Sequence, residues 1–346
     1  MHGRRPHVIV PKPMLRINIL SRHLDQAILR QTPRSSGEWA GCTFSVNGSG
    51  RFDCVVVYDD FSSPQKFDCA PEGLLFVTGE PPTIKRYDGR FLAQFHRVLS
   101  PHSDIPHPGL IDSHCGMPWH VGMVHGAPPA SAVRLTFDDF AGLRPAKTKL
   151  LSVFAARRNV TPGHMQRPAL VEALRQRFGD EVDVFGRDVM PIADKWDAIG
   201  PYKYHVALEN SRFANYWTEK LSDCFLGGAF PFYWGCPNVL NFFPAGSLQV
   251  INLYDPVAAV EAIARAIETD TYERSQAALD QARDAVLRRY NFFAVLADAC
   301  KSVRLGTPTT IMLYPEPAFK DSWARKLRKR LRRAVPRSLR PARWNK

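Results

Sequence analysis

The stretch 202–235, YKYHVALENSRFANYWTEKLSDCFLGGAFPFYWG, decides the fold that we predict for this chain. Residues 204–208 form a compact run that favours a β-strand, and polar side chains follow it. Thr218 can cap a helix that Gly227 and Gly228 would close. Residues 229–234 then read as a second apolar strand, so the stretch predicts one βαβ unit of a parallel sheet.

The loop after the first of these strands, together with the first helical turn, carries the candidate binding residues. In parallel sheets, ligands bind at the carboxyl ends of strands, beside helix N-termini. Lys220 offers a positive charge for a phosphate, and Glu219 offers an acceptor for ribose hydroxyls. Asn210 and Tyr216 would position a nucleotide and a sugar, with Glu209 beside them. The alternative is an ordinary capped helix with a Glu–Lys pair on its surface.

The order of these residues is similar to a known signature. The run LENS…NYWTEKL…GGAFPFYWGCPNV resembles the donor-binding motif of the α-1,3/4-fucosyltransferases, glycosyltransferase family 10, and the segment PFYWGCPNV resembles its bacterial branch. Two positions depart from the family pattern. Leu208 replaces a phenylalanine, and Trp217 replaces a β-branched residue, so that Trp217 could reshape the donor pocket.

The resemblance implies an α/β, GT-B-like fold, in which two Rossmann-like domains face each other across a cleft. At 346 residues with 45% hydrophobic content, the chain is long enough for two domains. We expect an N-terminal acceptor-side domain at 1–147, a nucleotide-sugar-binding domain at 148–305, and a linker with a basic amphipathic tail at 306–346.

In the first predicted domain, Glu80 is the candidate catalytic base. A buried apolar run, 73–78, delivers the sequence GEPP, and Pro81 and Pro82 stiffen the chain after the carboxylate. Local sequence alone favours a solvated loop glutamate. The segment FVTGEPP, however, resembles the part of the fucosyltransferases that carries their proposed base, and this similarity assigns that role to Glu80.

The first half also offers two weaker metal-binding patterns. Asp59 and Asp60 end an apolar strand and could hold a divalent cation, although aspartates at such positions more often form turns. A group of histidines and a cysteine has spacings that fit neither helical ligation nor a zinc finger: His96, His102, His107, His114, Cys115 and His120. We therefore expect no metal and no cofactor other than the donor substrate.

Three further donor-binding candidates come from the second domain. Pro168 suits the first position of a helix, which would place Arg167 at the mouth of that helix, where a phosphate meets backbone N–H groups. Fucosyltransferases carry an arginine at the matching place. Gly186 and Arg187 follow a predicted strand, and they resemble the glycine turn near the nucleotide base in that family.

The positive charge of the chain is concentrated in its tail. Residues 319–346 contain 12 Lys/Arg and one Asp, so the other residues hold 34 basic and 32 acidic groups. The tail repeats apolar residues every fourth position among basic ones, which is the pattern of an interfacial membrane helix. The predicted membrane-contacting residues are Trp323, Leu327, Leu331, Arg328 and Lys329. A nucleic-acid-binding arm or a solvated end are the alternatives, and we expect no nucleic-acid partner.

The sequence has neither an export signal nor a CxxC pair among its seven cysteines, which predicts a cytoplasmic protein with free thiols. With the tail, this predicts peripheral association with the inner face of the cytoplasmic membrane.

The resemblance implies an inverting glycosyltransferase, a GDP-fucose-dependent α-1,3-fucosyltransferase. Its acceptor would be N-acetylglucosamine in a lactosamine-type glycan of a bacterial surface polysaccharide. Two alternatives remain: a transferase of the same fold that uses another nucleotide-sugar, and a non-enzymatic polyanion-binding protein. The sequence does not determine the oligomeric state.

Overall fold

Two largely parallel sheets form the framework of the computed structural model, which describes residues 14–124, 126–155 and 162–319. The strands of the first half are β1 (Leu15–Leu20), β2 (Glu38–Trp39), β3 (Cys42–Val46), β4 (Gly50–Arg51), β5 (Cys54–Tyr58), β6 (Gln65–Cys69), β7 (Leu74–Val77), β8 (Arg97–Ser100) and β9 (Leu110–Asp112). Seven of them make the first sheet, in the order β2-β3-β1-β5-β7-β8-β9. All pairs in that sheet are parallel except β2 with β3.

The second sheet is built from β10 (Lys149–Phe154), β11 (Val182–Phe185), β12 (Tyr202–Leu208), β13 (Phe230–Trp234) and β14 (Gln249–Val250). Its order is β11-β10-β12-β13-β14, and every pair is parallel. The central strands are almost continuously apolar because helices cover both faces of such a sheet. We call the parts of the molecule around the two sheets the first lobe and the second lobe.

Helices connect and cover the strands. They are α1 (Gly89–Leu92), α2 (Pro129–Ala132), α3 (Phe137–Gly142), α4 (Pro162–Phe178), α5 (Trp196–Ile199), α6 (Glu219–Leu226), α7 (Pro256–Glu268), α8 (Thr271–Arg274), α9 (Gln276–Asp284) and α10 (Phe292–Lys301), with a π-helical turn at Ala285–Arg289. Among these helices, none has the length and apolar character that crossing a membrane requires.

The end of the described chain returns to the first lobe. Phe292, Phe293 and Leu296 of α10 are buried in one core with apolar residues of the first sheet, such as Ile17. A last strand, β15 (Thr309–Leu313), then pairs with β6 in a small third sheet. Sequence position alone grouped α10 with the second domain, whereas its apolar face packs on the first sheet.

The central βαβ unit is confirmed, while the predicted start of helix α4 is wrong. The helix begins at Pro162, and Pro168 lies inside it, because both prolines are compatible with a helix start. After the central unit, β14 has only two residues, and the segment from Thr271 to Arg289 is divided into α8, α9 and the π-helical turn. The predicted tail helix, with Trp323, Leu327, Leu331, Arg328 and Lys329, lies outside the described residues.

Candidate active site

The lobes enclose a cavity of about 330 Å³, which we call the cleft. Glu80, which follows β7, lines it from the first lobe. Four of the predicted donor-binding residues line it from the second lobe: Asn210, Tyr216, Glu219 and Lys220. The fold thus brings together residues that are more than a hundred positions apart in the sequence.

The carboxyl group of Glu80 faces the cleft and is partly buried by the residues around it. This partial burial raises the pKa of Glu80 above its ordinary value, and the nearby Asp59 carboxylate raises it further. Lys220 and Lys85 act in the opposite direction without cancelling the rise. A carboxylate with a raised pKa is a stronger base, which suits it to remove a proton from a hydroxyl group.

Asp59 lies beside Glu80 at the carboxyl end of β5, with a left-handed backbone (φ 61°). The Tyr87 hydroxyl donates to its Oδ1 at 2.5 Å, and Lys85 Nζ lies 3.2 Å from the same oxygen. Asp60 pairs with Arg22 instead, at 3.2 Å. Both carboxylates of the possible metal pair therefore have cationic partners. In the described ranges, no group of three or more His, Cys, Asp or Glu side chains is arranged to hold a metal ion.

Glu209 supports the start of helix α6. Its Oε1 accepts a hydrogen bond from Thr218 N, and its Oε2 accepts one from the Thr218 hydroxyl, both at 2.7 Å. Thr218 is the N-cap of the helix, as the sequence predicts, and its hydroxyl accepts from Lys220 N. Because Glu209 is fully buried, it serves to position this turn and does not face a ligand.

Gly235 leaves the space that Glu209 needs. A Cβ atom at Gly235 would lie 2.4 Å from Glu209 Cγ and 2.4 Å from the Tyr233 hydroxyl oxygen. Such distances are far shorter than a van der Waals contact. The glycine after β13 is therefore required by the packing of the glutamate that holds helix α6.

Glu219 is the centre of a buried group of charges. Its Oε1 lies 3.1 Å from Lys220 Nζ and 3.2 Å from Lys195 Nζ. Burial acts to raise the pKa of Glu219, but Lys220, Lys195 and His120 outweigh burial and hold the pKa well below its usual range. The sequence predicted Glu219 as an open acceptor for ribose hydroxyls, whereas in the structure this oxygen is shared by two ammonium groups.

Arg167 lies in the second turn of α4, and its guanidinium reaches the carboxyl end of β12. Its Nη2 donates to Leu208 O at 2.8 Å, while its buried Nε has no hydrogen-bond partner among the described residues. Arg167, Lys195 and Lys220 line a second cavity of about 170 Å³, which we call the cation pocket. Burial lowers the pKa of Arg167 to about 10, so the side chain remains positively charged at neutral pH.

Lys195 is the residue of this site that sequence reasoning missed. It immediately precedes α5, and its Nζ lies 3.5 Å from Asp223 Oδ2 as well as near Glu219. Burial opposes its charge, but Glu219 and Asp223 raise its pKa above the ordinary value. No motif surrounds Lys195 in the sequence, so only the folded chain reveals that it is a third cation of the pocket.

Lys220 belongs to the walls of both the cleft and the cation pocket. Glu80 and Arg167 therefore line neighbouring cavities that share this lysine.

Gly186 and Arg187 follow β11, near the far edge of the second sheet. Gly186 N donates to Met190 O at 3.1 Å, and a Cβ at Gly186 would lie 2.7 Å from Ala155 O, so only glycine fits there. Neither residue contributes to the described walls of the cleft or the cation pocket. Their predicted role near a nucleotide base stays a prediction.

Trp217 packs between the lobes. Its indole stacks on the His114 imidazole of the first lobe, with 3.6 Å between ring centroids, and is almost fully buried. Phe243 and Tyr290 contact it edge-on. The unusual tryptophan therefore contributes to the junction of the two lobes, and it does not line the described walls of the cleft or the cation pocket.

Comparison with known proteins identifies a family that the second lobe resembles. Residues 144–274 match the family model described as glycosyltransferase family 10 (fucosyltransferase) C-term. This segment of the chain is similar to the C-terminal domain of glycosyltransferase family 10. This segment contains α4, α6 and all five strands of the second sheet, and therefore the cations of the pocket.

One solved structure supports the GT-B fold for this glycosyltransferase. A crystal structure of an alpha1,3-fucosyltransferase is similar with a TM-score of 0.50 and 15% sequence identity, covering 87% of this chain and 92% of that chain. A second, of an alpha1,3-fucosyltransferase with GDP-fucose, has a TM-score of 0.49 and 17% identity, covering 87% of this chain and 93% of that chain. No curated protein sequence matches the chain.

Proposed function

We propose that this chain is a member of glycosyltransferase family 10 and acts as an inverting, GDP-fucose-dependent α-1,3-fucosyltransferase. The observation that carries the proposal is the placement of Glu80 in the same cleft as Lys220, which in turn shares a pocket with Arg167. A base and a cationic site for a leaving group are the two components that glycosyl transfer requires.

In the proposed reaction, Glu80 takes the proton of an acceptor hydroxyl as its oxygen attacks the anomeric carbon of fucose. The bond between that carbon and the β-phosphate oxygen breaks on the opposite face, and GDP leaves with the bonding electron pair. The configuration at the carbon is inverted, and the proton on Glu80 is later released to solvent. Asn210 and Tyr216 position the nucleotide and the sugar, while Glu219 holds the ammonium groups of Lys220 and Lys195.

The cations act on the charge that develops on the leaving diphosphate. Arg167 and Lys220 are held in place before the donor arrives, by Leu208 O and by Glu219 respectively. Preorganised charges in a buried site stabilise a transition state more than mobile charges in water do. The buried Arg167 Nε, which lacks a partner among the described residues, is available to donate to a phosphate oxygen.

The acceptor that we propose is N-acetylglucosamine in a lactosamine-type glycan of a bacterial surface polysaccharide, and the attacking group is its 3-OH. This finer assignment rests on the resemblance of the signature at 208–239 to the bacterial fucosyltransferases. The test is to incubate the purified chain with N-acetyllactosamine and, in separate reactions, GDP-fucose, GDP-mannose or UDP-galactose. We expect product only with GDP-fucose, and an α-1,3 linkage by NMR. Faster transfer from another donor would overturn the proposed donor.

We also propose that the basic tail holds the enzyme at the inner face of the cytoplasmic membrane. The support is the sequence pattern around Trp323, Leu327 and Leu331, with basic residues between them. The full chain should sediment with vesicles that contain anionic lipid and not with neutral vesicles. A chain lacking residues 320–346 should stay in solution with both, and equal sedimentation of the two chains would contradict the proposal.

A further inference from the structure

A third cavity, of about 500 Å³, lies at the carboxyl ends of β13 and β14, and we call it the strand-end cavity. Its wall includes Arg212, Trp234, Val250, Asn252 and Tyr254. Ligands of parallel α/β sheets bind at this edge of the sheet. None of the residues assigned above to the base or to the donor lines it, so the proposed reaction leaves the cavity unused.

The wall combines aromatic surface with hydrogen-bonding groups. Tyr254 is 54% exposed, and its ring packs edge-to-face with that of Trp234, with centroids 5.9 Å apart. Val250 is 58% exposed in the same wall. A sugar ring has an apolar face of C–H groups and a rim of hydroxyls, so an exposed aromatic ring beside Arg212 and Asn252 matches both.

The strand-end cavity is close to the cleft along the chain. Asn210 lines the cleft and Arg212 lines the strand-end cavity. Two residues of extended backbone span at most about 7 Å. Ser211, between them, forms a 2.6 Å hydrogen bond with Thr83, which follows Glu80 by three residues. The loop that separates the two cavities is therefore in contact with the segment that carries the base.

We infer that the strand-end cavity is a remote acceptor subsite, which binds a sugar residue of the glycan some distance from the residue that is fucosylated. The inference rests on the proposed function, because it assumes a glycan acceptor in the cleft. The Tyr254 ring stacks on the sugar, and Arg212 and Asn252 contact its hydroxyls. The subsite makes the enzyme prefer a long acceptor over a disaccharide.

The test compares Tyr254→Ala with Tyr314→Ala. Tyr314 is a matched control because it is an exposed tyrosine, 45% exposed, that follows β15 on the first lobe. KM and kcat are measured with N-acetyllactosamine and with a lactosamine octasaccharide, and binding of the octasaccharide is measured by calorimetry. We expect Tyr254→Ala to raise the octasaccharide KM and dissociation constant by about three- to tenfold. Disaccharide kinetics and GDP affinity should not change, and Tyr314→Ala should resemble the wild type.

Several results would overturn the subsite. One is an unchanged octasaccharide KM in Tyr254→Ala, and another is an equal change for both acceptors. Weaker GDP binding in this variant would assign the cavity to the nucleotide, and a smaller molecular mass by light scattering would assign it to a second copy of the chain. A wild type that transfers to both acceptors with the same KM would refute the subsite while leaving the proposed function intact. A wild type that neither binds GDP nor transfers fucose would refute the proposed function, and calorimetry with the octasaccharide would still test the cavity.

Discussion

The two lobes contribute opposite charges to two neighbouring cavities, the cleft and the cation pocket. From the first lobe come the carboxylates of Glu80 and Asp59, at the ends of neighbouring strands β7 and β5. From the second lobe come Arg167, Lys195 and Lys220 around the cation pocket. In the reaction that we propose, the first lobe takes the proton of the acceptor and the second stabilises the charge of the leaving group.

The charged neighbours of these groups also differ between the lobes. In the second lobe, the lysines pair with three buried carboxylates, Glu209, Glu219 and Asp223. Burial raises the pKa of Asp223 to about 6, even though Lys195 acts against the rise. In the first lobe, Glu80 instead has a like charge, Asp59, at its side. Buried partners hold the cations rigidly, whereas the like charge keeps Glu80 basic.

Removing the base should have the largest effect on activity. In Glu80→Gln the side chain keeps its size but cannot accept the proton, so kcat for transfer should fall by about 10²–10⁴-fold. GDP affinity should be unchanged, because the cations belong to the other lobe. Glu38→Gln, an exposed glutamate of β2, is the matched control. A kcat within threefold of the wild type would show that another group acts as the base.

Removing a cation of the second lobe should weaken the binding of GDP. Lys220→Ala deletes a charge-assisted contact worth about 1.5–3 kcal/mol, which corresponds to roughly ten- to a hundredfold weaker GDP binding by calorimetry. Binding of guanosine, which lacks phosphates, should not change. Lys203→Ala removes a lysine of β12 that pairs with Glu273 at the surface, and it should bind GDP normally. Unchanged GDP affinity in Lys220→Ala would place the diphosphate elsewhere.

A small substitution next to Glu209 should lower both the stability of the protein and its affinity for GDP. Gly235→Ala places a methyl group against Glu209 and Tyr233, and overpacking of this kind costs about 1–3 kcal/mol of unfolding free energy. Thermal unfolding should show a lower midpoint, and GDP affinity should fall with it as Thr218 loses its support. Gly142→Ala, where a Cβ meets nothing within 4 Å, is the control. Equal stability of the two variants would contradict the packing argument.

The smallest expected effect concerns the pH dependence of the first lobe. Asp59 raises the pKa of Glu80, so Asp59→Asn should lower that pKa. Transfer requires ionised Glu80, and the acidic limb of the kcat/KM profile should therefore move to lower pH. The pH dependence of kcat/KM for the acceptor is measured for Asp59→Asn and for the wild type, with GDP-fucose saturating. An acidic limb that stays in place or moves to higher pH would show that Asp59 does not act on the base.

Much of the second lobe could be predicted from the sequence because its signals are local. The predicted strand, cap and helix of the central unit lie within two residues of β12, Thr218 and α6. The start of α4 was wrong because the sequence contains two prolines, 162 and 168, and a helix tolerates the second one in its interior at the cost of one hydrogen bond.

Other features depend on contacts that no local pattern encodes. Lys195 joins the cation pocket through Glu219 and Asp223, which come more than twenty residues later on another helix. A glutamate after a strand, such as Glu209, is a residue type found in binding sites. Only its burial and its hydrogen bond show that it supports Thr218 instead. The sequence could identify the chemistry of the site, while the fold determines which charges face a ligand and which hold others in place.

A crystal structure of the enzyme with GDP would test the division between the lobes most directly. We predict that the β-phosphate lies within hydrogen-bond distance of Arg167 and Lys220, and that Glu80 faces it from the first lobe across the space where fucose would bind. A diphosphate bound away from both cations, or a Glu80 carboxylate that contacts the phosphates, would contradict this account.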